Sequence, residues 1–337
     1  MAINCTDKVV MVTGGTGSFG KEFIRVLLAE KQPAKVIVFS RDELKQHEMR
    51  KNGFDDERLR YFIGDVRDAE RMRRAMYGVD IVVHAAALKQ VPAAEYNPME
   101  AIKTNILGTA NVIDAALDNR VSQVLALSTD KAVNPANLYG ATKLAAEKLT
   151  VQSNAYSGDR PTRFACVRYG NVVGSRGSVV PVFLQQRESG RLTITDEKMT
   201  RFWLTLEQGV RFVLNCLDLM QGGEVFVPKL PSTTIMDLAK AIAPEAELDI
   251  VGIRPGEKMH EALISEDEAR SAVELDDMYV IQPAQGPHFV HSWSQKGKLL
   301  PEGFHYVSNE NDDVLTQQQI QDIIAPIEAQ WKAGTLK

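Results

Sequence analysis

Cysteine is scarce in this chain: only Cys5, Cys166 and Cys216 occur among 337 residues. An odd number without CxxC spacing supports neither a disulfide framework nor a zinc site, so no metal is expected, and it suits a reducing cytoplasm. Long apolar runs are also lacking. The stretch 81–88 contains His84 and is far too short to span a bilayer. The start, Met1-Ala2-Ile3-Asn4-Cys5-Thr6-Asp7, has neither the basic nor the apolar region of a signal peptide. There is no excess of basic charge: 39 Lys and Arg against 44 Asp and Glu give a net charge of −5. That balance argues against nucleic acid or an anionic membrane as partner. No internal repeat and no low-complexity segment is found.

What is present is ordinary for a soluble globular protein, with 44% hydrophobic and 25% charged residues. The length implies one large domain with an appendage, or two domains. Residues 8–13 (KVVMVT) form a β-branched apolar run, read as a buried strand. Gly14-Gly15-Thr16-Gly17-Ser18-Phe19-Gly20 follows, then an amphipathic helix over 21–31. Strand, glycine-rich turn and helix make a dinucleotide-binding pattern. Gly14, Gly17 and Gly20 are spaced GxxGxxG, and they let backbone N–H groups approach a pyrophosphate at a helix N-terminus. A second strand, 35–39, ends in Ser40-Arg41-Asp42. Here an NAD enzyme would place an acid for the ribose hydroxyl. A hydroxyl and a guanidinium suit a 2′-phosphate instead, so NADP is expected, with Lys45 one turn further on.

Strands at 59–63, 80–87, 121–128 and 162–167 continue the alternation, which predicts a parallel sheet with right-handed crossovers. Asp65 at the third strand's end could accept from an adenine amino group; Asp68 could do so too, or simply cap the next helix. His84, within an apolar strand, reads as structural, and the small residues Ala85 to Ala87 would let a cofactor lie close to backbone. Lys89 to Pro92 reads as a loop, where Lys89 either touches an anionic or sugar group or is merely solvated. One helix is expected over 99–118, with Asn105 tying backbone groups together.

The stretch 128–143 concentrates the chemistry. It leaves a strand and enters a helix, at the sheet edge where open α/β sheets bind ligands. Tyr139 and Lys143 lie four apart and so share a helix face, and Thr129, Asp130 and Lys131 come just before them. Beyond residue 174 the pattern shortens. Helices are expected at 181–188, 206–220 and 234–242, and strands at 192–195, 224–227 and 248–251. Arg176, Thr195, Glu197, Arg201 and the turn Arg254-Pro255-Gly256-Glu257-Lys258 lie here, and arginines beside a preformed turn could clamp a diphosphate. The tail from about 285 has no clear period until a helix near 314–331.

These residues resemble the extended short-chain dehydrogenase/reductases that act on nucleotide sugars, over roughly residues 5–283. The resemblance rests on GGTGSFG, the Asp65 strand end, Tyr139-x-x-x-Lys143 and Arg254-Pro-Gly-Glu. Within that family the chain is similar to the inverting UDP-N-acetylglucosamine 4,6-dehydratases of pseudaminic acid synthesis. Here the resemblance is carried by SRDELK at 40–45, GDVRD at 64–68, HAAALKQVP at 84–92, STDKAVNPANLYGATK at 128–143, RYGNVVGSRGSVVP at 168–181 and MTRFW at 199–203. Pattern and resemblance together give a Rossmann-type doubly wound parallel sheet over 1–174 that carries the catalytic residues, and a smaller, mainly substrate-binding α/β domain over 175–284 with segments returning to the Rossmann core; residues 285–337 are a C-terminal extension that the resemblance does not cover. The resemblance implies tightly held NADP, recycled within each turnover. The cofactor contacts it implies are Gly14, Gly17, Ser18, Phe19, Gly20, Ser40, Arg41, Asp42, Glu43, Leu44, Lys45, Asp65, Val66, Ala85, Lys89, Leu107, Gly108, Tyr139, Lys143 and Val172. For UDP-N-acetylglucosamine it implies Lys89, Asn171, Val180, Pro181, Val182, Phe183, Thr195, Glu197, Arg254 and Glu257. A homo-oligomer, dimer to hexamer, is also implied.

The chemistry of the residues agrees. Tyr139 takes the C4 hydroxyl proton as C4 is oxidised, its pKa lowered from about 10 by Lys143 and the cationic nicotinamide, and the resulting ketone acidifies C5–H. An acid and a base then expel water across C5–C6. Lys131 is the expected base, Asp130 the acid at O6, and Thr129 the partner of O4. Neutral Lys beside protonated Asp lies about 9 kcal/mol above the ion pair in water, since their ordinary pKa values differ by about 6.5 units. The two must therefore titrate together. Lys131 could instead stay charged and steady the enolate, and either Tyr139 or Lys131 could return the C5 proton. A nucleotide-sugar 4-epimerase or reductase is the nearest rival, separated by product mass. A catalytically silent NADP-binding regulator would be expected to lack Tyr139, Lys143 or the Asp130-Lys131 pair.

Overall fold

The computed structural model describes residues 5–174, 178–283 and 293–333. Arg176 lies outside the described residues, as do the expected boundaries at 174/175 and 284/285.

Six strands build the N-terminal half: β1 (Val9–Thr13), β2 (Lys35–Ser40), β3 (Leu59–Ile63), β4 (Ile81–His84), β5 (Gln123–Leu127) and β6 (Arg163–Val167). All six are parallel and stand in the order β3-β2-β1-β4-β5-β6, the doubly wound arrangement with its switch point between β1 and β4. The near-continuous Val, Ile and Phe runs of β1, β2 and β4 fit a sheet covered on both faces, while edge strand β3 is only partly buried. Val10, Met11, Val12, Val36, Val38 and Val82 are buried there. The sheet does not stop at β6. Val225–Pro228 adds in parallel, and Met278–Ile281, Ala272–Glu274 and Lys298–Leu299 follow antiparallel, giving ten strands.

The second half also builds a smaller cluster. Arg191–Ile194 pairs in parallel with Glu247–Ile250, and helices Val179–Arg187 and Ile235–Ile242 pack over a separate apolar core. The tail serves both halves. Trp293 is buried edge-on against Phe226 of the large sheet. Tyr306–Val307 pairs with Ala262–Ile264, and helix Gln317–Lys332 buries Ile320 and Ile324 in the smaller core.

Two local expectations need correction. The helix expected over 99–118 is broken into Pro98–Ile102, a wider π-type turn Lys103–Leu107, and Gly108–Asp118. Such turns accommodate one extra residue. Asn105 sits in this one, with Oδ1 accepting from Leu88 N–H and Nδ2 donating to Leu88 O and Thr142 Oγ1. Asn105 does tie backbone groups together, those of Leu88 after β4, and it reaches helix Leu138–Gln152 through the Thr142 hydroxyl. The loop expected at 89–92 also turns helical at Val91, with Pro92 in the first turn of Val91–Tyr96. There proline's missing N–H costs nothing.

Candidate active site

One cavity of about 620 Å³ runs along the carboxyl ends of the parallel strands. Its floor is the turn after β1. Gly14 has φ +67°, and a Cβ on it would lie 3.0 Å from the Ala86 backbone, so β1 and β4 approach closely only because it is glycine. Gly20 packs on Gly15, where a Cβ would fall 2.5 Å from Gly15 Cα. Gly17 then caps helix Ser18–Glu30 without a side-chain acceptor. The first N–H groups of this 13-residue helix therefore face the cavity with no capping side chain. A helix N-terminus of this kind favours an anion such as a pyrophosphate.

His84 lies beneath this turn. Its Nδ1 is 2.7 Å from Thr13 Oγ1 and its Nε2 3.0 Å from Thr109 Oγ1. Burial, with Lys143's charge adding, pushes its pKa down to about 3. A neutral ring clamped between two threonines has the structural role expected of it.

At the β2 end, Ser40 Oγ is 2.9 Å from Thr16 Oγ1, and Arg41 is exposed at the cavity mouth with Nη1 3.6 Å from Asp65 Oδ2. Lys45 also lines the cavity and pairs with Asp42 at 3.0 Å. Val66, Ala85, Lys89 and Val172 complete this wall together with Ser18 and Phe19. Asp42, Glu43 and Leu44 do not line it. Asp42 caps helix Glu43–Lys51 by accepting from Lys45 N–H, and Glu43 and Leu44 project from its first turn, exposed. Leu107 is half-exposed, while Gly108 packs on Val66, where a Cβ would lie 2.7 Å from Cγ2.

The other end of the cavity holds the catalytic candidates. β5 delivers Thr129, Asp130 and Lys131 on a short helical turn, and helix Leu138–Gln152 delivers Tyr139 and Lys143. Asn137 sets the start of that helix. Its Oδ1 accepts from Gly140 N–H, and its Nδ2 donates to Gly256 O of the proline-glycine turn, both at 2.8 Å. Gly140 lets the helix abut the catalytic turn, since a Cβ there would lie 2.2 Å from Lys131 O.

Lys131 Nζ is held by four oxygens: Asp130 Oδ1 at 3.0 Å and Oδ2 at 3.1 Å, Asn171 Oδ1 at 3.3 Å and Glu261 Oε1 at 3.0 Å. Burial disfavours the ammonium, but the charges of Asp130 and Glu261 outweigh it and hold Lys131 above its ordinary value. Thr129 Oγ1 donates to Asp130 Oδ1 at 2.8 Å. Burial pushes Tyr139 up to about 12, against which Lys131's charge and a bond from Thr129 pull. Lys143 is pushed down by burial, and its Nζ donates to Leu127 O at 2.5 Å.

The substrate candidates divide. Lys89 and Asn171 line the cavity. Val180 and Phe183 are buried in the smaller core with Leu192 and Trp203, and Val182 is half-exposed beside Pro181 on the same helix. Thr195 and Glu197 follow strand Arg191–Ile194, with Glu197 exposed. Arg254 and Glu257 sit on the turn joined to Asn137, and Glu257 Oε1 is 3.8 Å from Arg201 Nη2. Thr195, Glu197, Arg254 and Glu257 are not brought into the cavity of the cofactor candidates.

Sequence reasoning missed Glu261 and Tyr169. Tyr169 lines the cavity beside Asn171, and Glu261 is buried at 2% exposure. No local pattern marks an acid whose only unusual property is burial. Among the described residues, no group of His, Cys, Asp or Glu could hold a metal ion, and no helix is long and apolar enough to cross a membrane.

Known proteins share this site's frame. The family described as polysaccharide biosynthesis protein matches residues 10–283. The chain belongs to that family. A UDP-N-acetylglucosamine 4,6-dehydratase (inverting) of Campylobacter jejuni is 52% identical over 94% of this chain and 97% of its own length. That coverage cannot be reached without residues past 284, so the likeness takes in much of the tail, which the resemblance over 5–283 had left out. A UDP-glucose 4-epimerase of Rickettsia massiliae is 45% identical over 82% of this chain and 83% of its own. Among solved structures, Pen from Bacillus thuringiensis superposes with a TM-score of 0.88 at 38% identity, over 97% of this chain and 99% of that one. The dTDP-glucose 4,6-dehydratase DesIV from Streptomyces venezuelae, with NAD and TYD bound, gives 0.67 at 25% identity, over 74% and 86%. The fold is thus the Rossmann type of nucleotide-sugar dehydratases and epimerases.

Proposed function

We propose that this chain is a UDP-N-acetylglucosamine 4,6-dehydratase that inverts C5, a hydro-lyase. The observation that carries the reading is the Asp130-Lys131 pair. A second acid–base pair stands beside Tyr139 and Lys143 in one cavity, and C4 oxidation alone does not need it. The 52% identity to a protein of that name supports it.

The residues fit a nicotinamide dinucleotide. Gly14 and Gly17 to Gly20 would hold its pyrophosphate at the helix N-terminus, with Asp65 and Val66 at the adenine end. When bound, the cofactor supplies reversible hydride acceptance. Ser40, Arg41 and Lys45 favour NADP over NAD, because a guanidinium and an ammonium both answer a 2′-phosphate.

The chain's own residues then divide the work. Tyr139 takes the proton from the substrate's O4, and Thr129 steadies that oxygen. Lys131, held as the ammonium, first passes a proton to Asp130, which it contacts through both oxygens; the amine then removes the C5 proton, Asp130 protonates the departing O6, and water leaves. Asp130 and Lys131 share protons through two direct contacts, so they act as one titrating unit. Lys89, Asn171, Thr195, Glu197, Arg254 and Glu257, with the helix start at Val180 to Phe183, are the substrate's candidate partners. Lys89 and Asn171 in the cavity, with Arg254 and Glu257 on the proline-glycine turn, suit a long ligand with a sugar at one end and a nucleotide at the other. The product suits pseudaminic acid synthesis, and a cytoplasmic homo-oligomer is the expected form.

The second reading is a 4-epimerase, favoured by the 45% identity to a UDP-glucose 4-epimerase. Incubation with UDP-N-acetylglucosamine separates the two. Dehydration gives a product lighter by one water with altered configuration at C5 by NMR. A product of unchanged mass would sink the dehydratase reading.

A further inference from the structure

Resting on that reading, we infer that Glu261 is a positioning residue for Lys131, so that the acid–base centre is a cluster of three charges rather than a pair. Glu261 comes from the segment before strand Ala262–Ile264, 130 residues from Lys131, yet its Oε1 lies 3.0 Å from Lys131 Nζ. Asp130 and Glu261 are 1% and 2% exposed at their side chains, so the ammonium is bracketed by two buried carboxylates. A carboxylate that merely satisfied a surface lysine would not be buried at this cost.

Glu261 is itself fastened by the C-terminal extension. Its backbone N–H donates to Ser308 Oγ at 3.0 Å, and Ser308 N–H donates to Glu261 O at 2.8 Å. Ser308 Oγ is also 2.7 Å from Thr200 Oγ1, which is 2.8 Å from His260 Nδ1. The tail thus gives the lysine's second carboxylate a fixed floor. Glu261 Oε2 is buried without a hydrogen-bond partner, which leaves Oε1 as the oxygen committed to Lys131.

The charged groups around it are few. Arg201 Nε approaches from strand Thr200–Leu204 at 3.6 Å, Lys258 and His260 stand on its own segment, and Asp130 and Lys131 face it from the turn after β5. Tyr139 lies beyond Lys131. Burial and the charge of Asp130 push the Glu261 carboxyl up, while Lys131 and Arg201 pull it down. Removing its charge makes Lys131 easier to deprotonate. The limb of the pH profile that Lys131 controls therefore moves to lower pH, whether the neutral amine or the ammonium is the working form.

The test compares kcat against pH for the wild-type enzyme, Glu261→Gln and Glu261→Asp, each with its bound NADP measured. Glu261→Gln keeps the shape and removes the charge. Its kcat should fall roughly tenfold with KM and NADP content nearly unchanged, and the limb that Lys131 controls, the acid limb for a residue working as the base, should move down by about one pH unit, the low end of what a charge at this distance does. Glu261→Asp keeps the charge but shortens the reach, and should move the limb in the same direction by less. It carries the test if the Gln variant does not fold. A limb that stays where the wild type has it, in either variant, overturns the positioning role even if kcat falls. If the wild type forms no dehydrated product, the dehydratase reading falls with it; if it does and the limb is fixed, only the role of Glu261 falls.

Discussion

Arg168 on the loop after β6 and Glu147 of helix Leu138–Gln152 form a two-bonded ion pair in which neither side chain reaches solvent. Glu147 stands one turn beyond Lys143 and two beyond Tyr139, so the pair anchors the catalytic helix to the sheet. Glu268 adds a second carboxylate on Arg168, and Ser128 Oγ donates to Glu147. Breaking such a pair strands a buried charge. Arg168→Met should lower unfolding stability by about 3–5 kcal/mol in denaturant titration. Adding Glu147→Leu should restore part of it, because it removes the fully buried one of the two carboxylates that lose Arg168, while Glu268 stays. A loss below about 1 kcal/mol for the single variant would contradict this account.

Arg41 is exposed at the cavity mouth beside Asp65. Its charge is free to turn toward a 2′-phosphate, which NAD lacks. Arg41→Ala should therefore weaken NADP binding by tenfold or more and leave NAD within about threefold, as one charge-assisted contact is lost for the first ligand only. Calorimetric titration with both cofactors reads the difference. Equal weakening of the two would remove Arg41 from 2′-phosphate recognition.

Much of this was legible in the residues. Apolar runs mark the N-terminal strands, and in β1, β2 and β4 they are rich in Val and Ile, as buried parallel strands tend to be. Tyr139 and Lys143 could be placed on one helix face from their spacing alone. The π-type turn at Lys103–Leu107 was hidden, since its cause, Asn105 reaching Leu88 and Thr142, is a tertiary contact. Glu261 was hidden for the same reason. Its meaning comes from a lysine 130 residues away, brought to it by strand pairing between Ala262–Ile264 and Tyr306–Val307. The extension looked patternless because its parts pack separately: Trp293 against the large sheet, helix Gln317–Lys332 against the smaller core.

His84 ties stability to pH. Burial holds its folded pKa near 3, below the ordinary value of 6.5. The unfolded chain therefore binds a proton that the folded chain refuses throughout that window. Stability should fall as pH drops from about 6.5 toward 3, and this slope is the sign expected of a depressed histidine. In His84→Gln the slope across the window should be shallower by up to one proton. Denaturation midpoints at several pH values measure it, and an unchanged slope would show that His84 is not the group responsible.

In the proposed reaction Lys131 acts after C4 is oxidised. Lys131→Ala removes the expected base but leaves Tyr139 and the glycine turn in place. With UDP-N-acetylglucosamine the variant should retain NADP and lose the dehydrated product by at least about a hundredfold, the usual contribution of a positioned acid–base group. Exchange of the C5 hydrogen with solvent should stop as well. Full residual turnover would exclude Lys131 from elimination.

To take the O4 proton as proposed, Tyr139 has to lose a proton that its surroundings hold tightly. Burial takes it to about 12, and the opposing pull comes first from Lys131 and then from Thr129. Lys143, the expected helper, turns its ammonium to Leu127 O. A bound nicotinamide would supply further positive charge and so bring the phenol's pKa down toward neutral pH. The rate of C4 oxidation should then rise with pH and level off once the phenol is ionised. Tyr139→Phe should abolish that step, by about 100-fold or more, while NADP stays bound. It should differ from Lys131→Ala in a way that assigns the two roles. With Tyr139→Phe no reduced-nicotinamide absorbance appears on mixing with substrate, whereas Lys131→Ala can still show it. A normal burst of reduced cofactor in Tyr139→Phe would take Tyr139 out of the mechanism.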